Sequence, residues 1–274
     1  VTEPLEISIL GAAGRMGRTL IRLLQAQPQQ FRLCGALSIA ADPLLGQDAG
    51  LMAGGEACGV SLVADARTAL AQARVAIDFT LPAATAGHLR ACADAGVPLV
   101  LGTTGLDEAM RRTLAATART LPVLYARNFS VGVTLLTALA QLAAARLGED
   151  YDAEIIEAHH RHKVDAPSGT ALALGEAVAQ GRGEALARLA DWSRHGDTGP
   201  REPGHIGFSV IRGGSIVGEH TVLFAADEER LELSHRAVDR SVFARGALRA
   251  AVWLAGRPPG LYDMHDVLGL HLEQ

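Results

Sequence analysis

Between Glu157 and Ala171 the chain reads EAHHRHKVDAPSGTA, which sets His159, His160, Arg161, His162 and Lys163 side by side. Imidazoles titrate near neutrality and can pass a proton, while the lysine ammonium attracts an anion. EIIEAHH has the look of a strand ending, so His159 and His160 should point to opposite faces. Pro167 closes the basic loop, and Ser168, Gly169 and Thr170 open the helical pattern ALALGEAVAQG. Ser168 or Thr170 can cap that helix, leaving its first N–H groups and its dipole to attract negative charge. A lysine, several imidazoles and a helix start within a dozen residues make a receptor for carboxylates. Three other uses compete. A solvated surface loop would leave the helix start unused. A metal centre is opposed by the lysine amid the histidines and by the lack of a carboxylate or cysteine at ligand spacing. Nucleic-acid binding is opposed by the charge balance and the scarcity of aromatic residues.

A second chemical signal lies near the start. SILGAAGRMGRTL places Gly11, Gly14 and Gly17 between an expected strand and an expected helix. Such a turn lets backbone approach a pyrophosphate and aims helix N–H groups at it. The spacing is G-x-x-G-x-x-G, so a plain glycine-rich turn is the alternative. At the end of the next strand, where an acid would bond an adenosine ribose, the chain has Ser38 and Ile39, with no acid before Asp42. Nothing there excludes a 2′-phosphate and Arg15 could supply charge, so the cofactor is NADH or NADPH. GTTG, from Gly102, and ARNFS, from Ala126, fall at the ends of further strands, where they could meet a nicotinamide or serve as turns and caps.

These segments need a scaffold. From residue 5 to 128 strand-like and helix-like runs alternate (LEISIL, FRLCGAL, RVAIDFT, VPLVLGTT, LPVLYARN), the signature of a doubly wound parallel sheet. Beyond a helix at about 130–148 the order changes. AEIIEAHH is followed by a helix, then by HIGFSVIRGG, SIVGEHTVLFAA and RLELSHRAV without helices between, which indicates a mixed or antiparallel sheet. SVFARGALRAAVWLAG reverts to helix. The expected fold is α/β: a Rossmann-like doubly wound sheet from residues 1–129 and 241–274, and a central α+β domain with an open mixed sheet from residues 130–240.

Composition narrows the function classes. With 274 residues, 49% hydrophobic and 20% charged, the chain can bury a core. A formal net charge of −5 argues against a partner that is nucleic acid or an anionic membrane. Cys34, Cys58 and Cys92 lie in no ligand or redox spacing. The opening VTEPLEISIL lacks the form of a signal peptide, and no segment is long and apolar enough to span a bilayer, so the expected location is cytoplasmic.

Taken together, GAAGRMG, IDFT, GTTG, NFSVGV, EAHHRHKVDAPSGTA, GEHTVLF, ERLELSHRA and GLYDM resemble the 4-hydroxy-tetrahydrodipicolinate reductase family along essentially the whole chain. The EAHHRHKVDAPSGTA stretch is the most specific of these. The resemblance implies nicotinamide-dependent reduction of a small cyclic dicarboxylate in lysine and diaminopimelate biosynthesis and a homotetramer built on the central sheet; on the residues alone no metal is expected. By motif, His159 and Lys163 would be catalytic, and His160, Ser168, Gly169 and Thr170 would hold substrate carboxylates. Gly11, Ala12, Ala13, Gly14, Arg15, Met16, Ser38, Gly102, Thr103, Thr104, Ala126, Arg127, Asn128 and Phe129 would contact the cofactor. Ser38-Ile39 departs from the acidic residue followed by arginine that many members carry. Other classes remain to be weighed: a sugar or semialdehyde dehydrogenase, weakened by the lack of a cysteine in the central domain, and a nicotinamide-sensing protein without chemistry.

Overall fold

The computed structural model describes residues 3–270, which form two compact units. The first runs to Phe129 and resumes at Ser241; the second spans Ser130–Arg240.

The first unit begins with β1 (Leu5–Leu10), α1 (Arg15–Gln25), β2 (Phe31–Leu37), α2 (Ala49–Met52), β3 (Leu62–Val63) and α3 (Ala66–Leu70). It continues with β4 (Val75–Asp78), α4 (Pro82–Ala95), β5 (Leu99–Leu101), α5 (Glu108–Thr117) and β6 (Pro122–Tyr125). The second unit contains α6 (Val131–Leu147), β7 (Asp152–His159), α7 (Gly169–Gly181), α8 (Leu186–Leu189), β8 (Ala190–Asp191), β9 (Ile206–Arg212), β10 (Gly218–Ala225) and β11 (Arg230–Ala237). The chain then returns to the first unit with α9 (Ser241–Leu254), β12 (Gly260–Tyr262) and α10 (Met264–Leu268).

In the first unit the described strands lie in the order β12-β6-β5-β4-β1-β2-β3, all parallel. Strands covered on both faces should read as continuous apolar runs, and Val75–Asp78 and Leu99–Leu101 are buried at every position. One face packs Leu10, Leu99, Leu101 and Val123 against Leu70, Leu89, Cys92 and Leu114 of α3, α4 and α5. On the other, α1 meets α9, which also contacts β4, β5 and β6. Each fully buried Leu or Ile adds about 1.5–3 kcal/mol of transfer free energy, so helix α9 is integral to this core although it arrives last in sequence. Strand β12 extends the sheet beyond β6. Its three residues are too few to show a period in sequence, and the short β3 and α2 within the Gly- and Ala-rich stretch escaped reading for the same reason.

In the second unit the strand order is β11-β10-β7-β9-β8. β7 pairs antiparallel with β10 and parallel with β9, so the sheet is mixed. Helices α6 and α7 pack together over one face, where Ala153, Ile155, Val222, Phe224 and Phe208 meet Leu136, Ala140, Leu174 and Val178. The opposite face carries Glu154, Ile156, Ser209, Ile211, Thr221 and Leu223, and Ile211 is 51% exposed.

Candidate functional site

Alternation along β7 explains how polar chemistry enters the second core. Ala153, Ile155, Glu157 and His159 share one face, so the apolar core row ends in a carboxylate and an imidazole. Glu157 is 1% exposed and His159 is 9% exposed. A buried carboxylate is costly unless it is paired and hydrogen-bonded. Arg212, at the end of β9, donates to both oxygens of Glu157 at 2.9 and 3.0 Å, the backbone N–H of Ser168 donates to Oε1 at 3.0 Å, and His159 Nδ1 lies 2.5 Å from Oε2. Burial pushes the Glu157 carboxyl upward, but Arg212, His159 and the Ser168 N–H outweigh it and hold the group below the ordinary carboxylate range.

Beside this pair stands His220 of β10, its ring edge-on to His159 at 5.1 Å between centroids. Its Nε2 lies 3.2 Å from Ser168 Oγ, while its buried Nδ1 has no protein partner. Burial, with the charge of His159 adding to it, pushes His220 down to about 4. His159 is also shifted down, chiefly by burial, with Glu157 opposing.

Ser168 is the N-cap of α7, accepting from the Ala171 N–H at 3.1 Å, so of the two capping candidates it is the one whose bond to that N–H closes the first turn. Gly169 opens the helix, with Thr170 next to it. Helix starts of this kind favour anions. Lys163 lies in the preceding loop with its ammonium 2.8 Å from both oxygens of Asp165, which is thereby held below the usual carboxylate range. His160, just past the strand end, meets Arg240 through Nε2 at 3.1 Å. The second unit therefore gathers His159, His160, Lys163, Ser168, Gly169 and Thr170 around one strand end and one helix start.

Several members of this cluster were not singled out from sequence: Glu157, Arg212, His220, Asp165 and Arg240. The available signals were the position of Glu157 two residues before His159 on one strand face and that of Asp165 two residues after Lys163; Arg212, His220 and Arg240 come from distant segments. Glu157 also corrects the reading that no carboxylate stands at ligand spacing from the histidines. Ligand atoms of Glu157, His159 and His220 lie within 4.8 Å of one another. Both Glu157 oxygens are occupied by cationic or N–H donors, and Arg212 and Lys163 oppose a further cation, so the cluster suits an anion and a proton rather than a metal.

In the first unit the glycine turn follows β1. Gly11 has φ of 79°, in the region glycine favours. A Cβ at Gly17 would overlap the Gly11 and Ala12 carbonyl oxygens, so glycine lets α1 close on the turn. Gly14 is the N-cap of α1 and offers no side-chain cap, leaving the first N–H groups for a ligand; this fits a pyrophosphate. Ala12 is buried, Ala13 and Met16 are half-buried, and Arg15 is exposed. Ser38 follows β2, and its hydroxyl bonds Asp42. That bond, with the Leu44 N–H, holds the Asp42 carboxyl below its usual range, so an ionised acid does stand at this strand end.

Gly102, Thr103 and Thr104 follow β5, and Ala126, Arg127, Asn128 and Phe129 follow β6, all at carboxyl ends of parallel strands. Thr103 is buried and donates to the Thr80 carbonyl at 3.1 Å; Thr104 and Arg127 are exposed. The Phe79 ring lies against Gly102 and edge-on to Phe129 at 5.3 Å. Buried Asp78, at the end of β4, braces the same rim by accepting from Thr80 N–H at 2.7 Å and meeting His88 at 2.8 Å. Burial pushes the Cys34 and Cys92 thiols up to about 12, so neither is a ready nucleophile. Among the described residues no helix is long and apolar enough to cross a membrane.

Comparison with known proteins places the chain in a family. The family model for the N-terminus of dihydrodipicolinate reductase matches residues 5–129, and that for its C-terminus matches residues 132–268. The 4-hydroxy-tetrahydrodipicolinate reductase of Thiobacillus denitrificans is 56% identical over 264 residues, covering 96% of this chain and 98% of the relative. That of Alkalilimnicola ehrlichii is 54% identical with the same coverage, 96% and 98%. Among solved structures, the dipicolinate-bound dihydrodipicolinate reductase of Paenisporosarcina sp. TG-14 shares the fold, with a TM-score of 0.75 at 23% identity over 95% of this chain and 97% of that one. Matched in both halves by the family's models and over nearly its full length by such relatives, this chain belongs to the dihydrodipicolinate reductase family.

Proposed function

We propose that the chain reduces 4-hydroxy-tetrahydrodipicolinate to tetrahydrodipicolinate in lysine and diaminopimelate biosynthesis, using a reduced nicotinamide. The observation that carries the reading is the convergence of His159, Lys163 and the Ser168-capped start of α7 within one unit of a family member. A cyclic imine with two carboxylates needs its charges held and one proton delivered. The first N–H groups of α7, at Gly169 and Thr170, bind one carboxylate, with Ser168 shaping the turn. Lys163 leaves Asp165 to meet the substrate, and His160 adds a further polar contact.

A nicotinamide cofactor, its pyrophosphate held at the glycine turn, would supply hydride to the ring carbon distal to nitrogen once the hydroxyl has departed as water. Electron density moves toward the ring nitrogen, and the resulting enamine gains a proton on carbon. His159 handles that proton, and Lys163 is the second donor. Positioned acid–base groups of this kind contribute typically ~10²–10⁴-fold. Gly11 to Met16 hold the pyrophosphate, Ser38 the adenosine end, and Gly102 to Thr104 with Ala126 to Phe129 the nicotinamide side. The Asp42 carboxylate beside Ser38 suits a ribose 2′-hydroxyl and repels a 2′-phosphate, which favours NADH over NADPH.

The open face of the mixed sheet, bearing Ile156, Ile211 and Leu223, is the surface through which four copies would associate. A biosynthetic role fits a cytoplasmic location. The test follows NADH and NADPH absorbance separately, with the cyclic dicarboxylate made in situ from its precursors. Oxidation that depends on the dicarboxylate is expected. Cofactor binding without such oxidation would leave a sensing protein instead.

A further inference from the structure

We infer that Glu157 is a positioning residue for the proton step, binding His159 through Nδ1 so that Nε2 alone exchanges the proton, and that Gly218 keeps Nε2 open. This deepens the reductase reading and rests on it.

Glu157 receives four hydrogen bonds: two from Arg212, one from the Ser168 N–H and one from His159. An ionised carboxylate only accepts, so the His159 nitrogen facing it carries the hydrogen. In the neutral imidazole the lone pair then lies on Nε2, and protonation adds its hydrogen there. The tautomer is thereby chosen by a group that does not itself reach the substrate site. The same carboxylate secures Ser168, the N-cap of α7, and Arg212 also donates to the Asp165 carbonyl at 2.6 Å. One buried ion pair thus sets the proton donor in register with the anion-binding turn.

Gly218 supplies the second half of the argument. It opens β10 and its φ is not among the positive values, so the backbone makes no demand for glycine. What it provides is space: a Cβ there would lie 3.1 Å from His159 Nε2 and 3.8 Å from His220 Cε1. Any side chain would cover the nitrogen that Glu157 leaves free.

Charged and titratable groups reach His159 from every neighbouring element. Burial opposes its protonation and Glu157 on β7 favours it; the charges of Lys163 in the loop and Arg212 on β9 oppose it, and His220 on β10 lies edge-on beside it. Ser168 at the start of α7 is neutral and meets His220. Loss of the Glu157 charge therefore makes His159 harder to protonate.

The experiment reads the imidazole nitrogen shifts of His159 by NMR, assigned against His159→Gln. In the wild-type protein above the imidazole pKa, a hydrogen on Nδ1 and a bare Nε2 are expected; a neutral form carrying its hydrogen on Nε2 overturns the proposal. In Glu157→Gln the imidazole pKa falls and the Nδ1-H tautomer loses its dominance. There kcat drops by at least ~10-fold, toward the ~10²–10⁴ of a full acid–base contribution, while KM for the dicarboxylate changes less. The alkaline limb of the kcat profile, where the donor is lost, moves to lower pH. A simple bracing role would leave tautomer and limb in place. Should Glu157→Gln fail to fold with Arg212 unpaired, Gly218→Ala decides: the Glu157 contacts and the tautomer persist while kcat falls ~10-fold or more, and unchanged kcat overturns the claim for Gly218. A wild-type protein inert toward the dicarboxylate would defeat the reductase reading alone, because the tautomer is measured without turnover.

Discussion

Replacing His159 by Gln or Lys163 by Ala would remove the proposed proton carrier or carboxylate partner and leaves every residue of the glycine turn as it is. Both variants should lose kcat by ~10²-fold or more in the coupled assay, given typical acid–base contributions, while NADH affinity by fluorescence titration stays near wild type. Asp42 bears on the cofactor instead. Asp42→Ala removes the anion beside Ser38, so NADH should bind more weakly and NADPH more tightly, read as the ratio of their Kd values. His220 predicts a pH effect on stability. Its pKa falls from 6.5 to about 4 on burial, so between those values the unfolded chain takes a proton that the folded chain refuses. Stability should therefore decline as pH drops from 6.5 toward 4, by at most about 3 kcal/mol from this group. Denaturant titrations at pH 7 and pH 5 should show the decline, and His220→Asn should reduce it.

Element ends do the positioning. Helix α7 starts at the proposed anion site because Ser168 satisfies the Ala171 N–H while its own N–H is fixed by Glu157. Ser168→Ala keeps the second bond and loses the first, together with the contact to His220. The expected cost is about 1 kcal/mol of stability, with weaker binding of pyridine-2,6-dicarboxylate by calorimetry; an unchanged affinity would mean that the helix start does not bind the ligand. At the glycine turn the element logic is reversed. Gly14 leaves α1 without a side-chain cap, so the proposed cofactor pyrophosphate would complete the helix end in place of a side chain.

At the scale of the molecule, two sheets solve different burial problems. The parallel sheet is covered on both faces and reads as apolar runs. The mixed sheet is covered by α6 and α7 on one face and bears Ile156, Ile211 and Leu223 on the other. Association through that face predicts the mass of a tetramer by sedimentation. Ile211→Glu should shift the distribution to smaller species, since burying an unpaired carboxylate in an interface is unfavourable. A wild-type monomer at micromolar concentration would remove the proposal.

Sequence alone specified what local chemistry and periodicity encode. The strand–helix alternation, the glycine turn between β1 and α1, the change to consecutive strands, and the basic loop ahead of a capped helix could all be read because each is built from short contiguous runs with their own period or turn residues. The short β3 and β12 could not, since their pairing with β2 and β6 is decided by neighbours distant in the chain. The same holds at the site. His159, Lys163 and Ser168 were visible as neighbours in one stretch, but Arg212, Gly218 and His220 come from β9 and β10, more than forty residues onward. Only sheet register brings them to Glu157 and His159, because burying a carboxylate and an imidazole at a strand end requires partners that folding, and no local sequence rule, supplies.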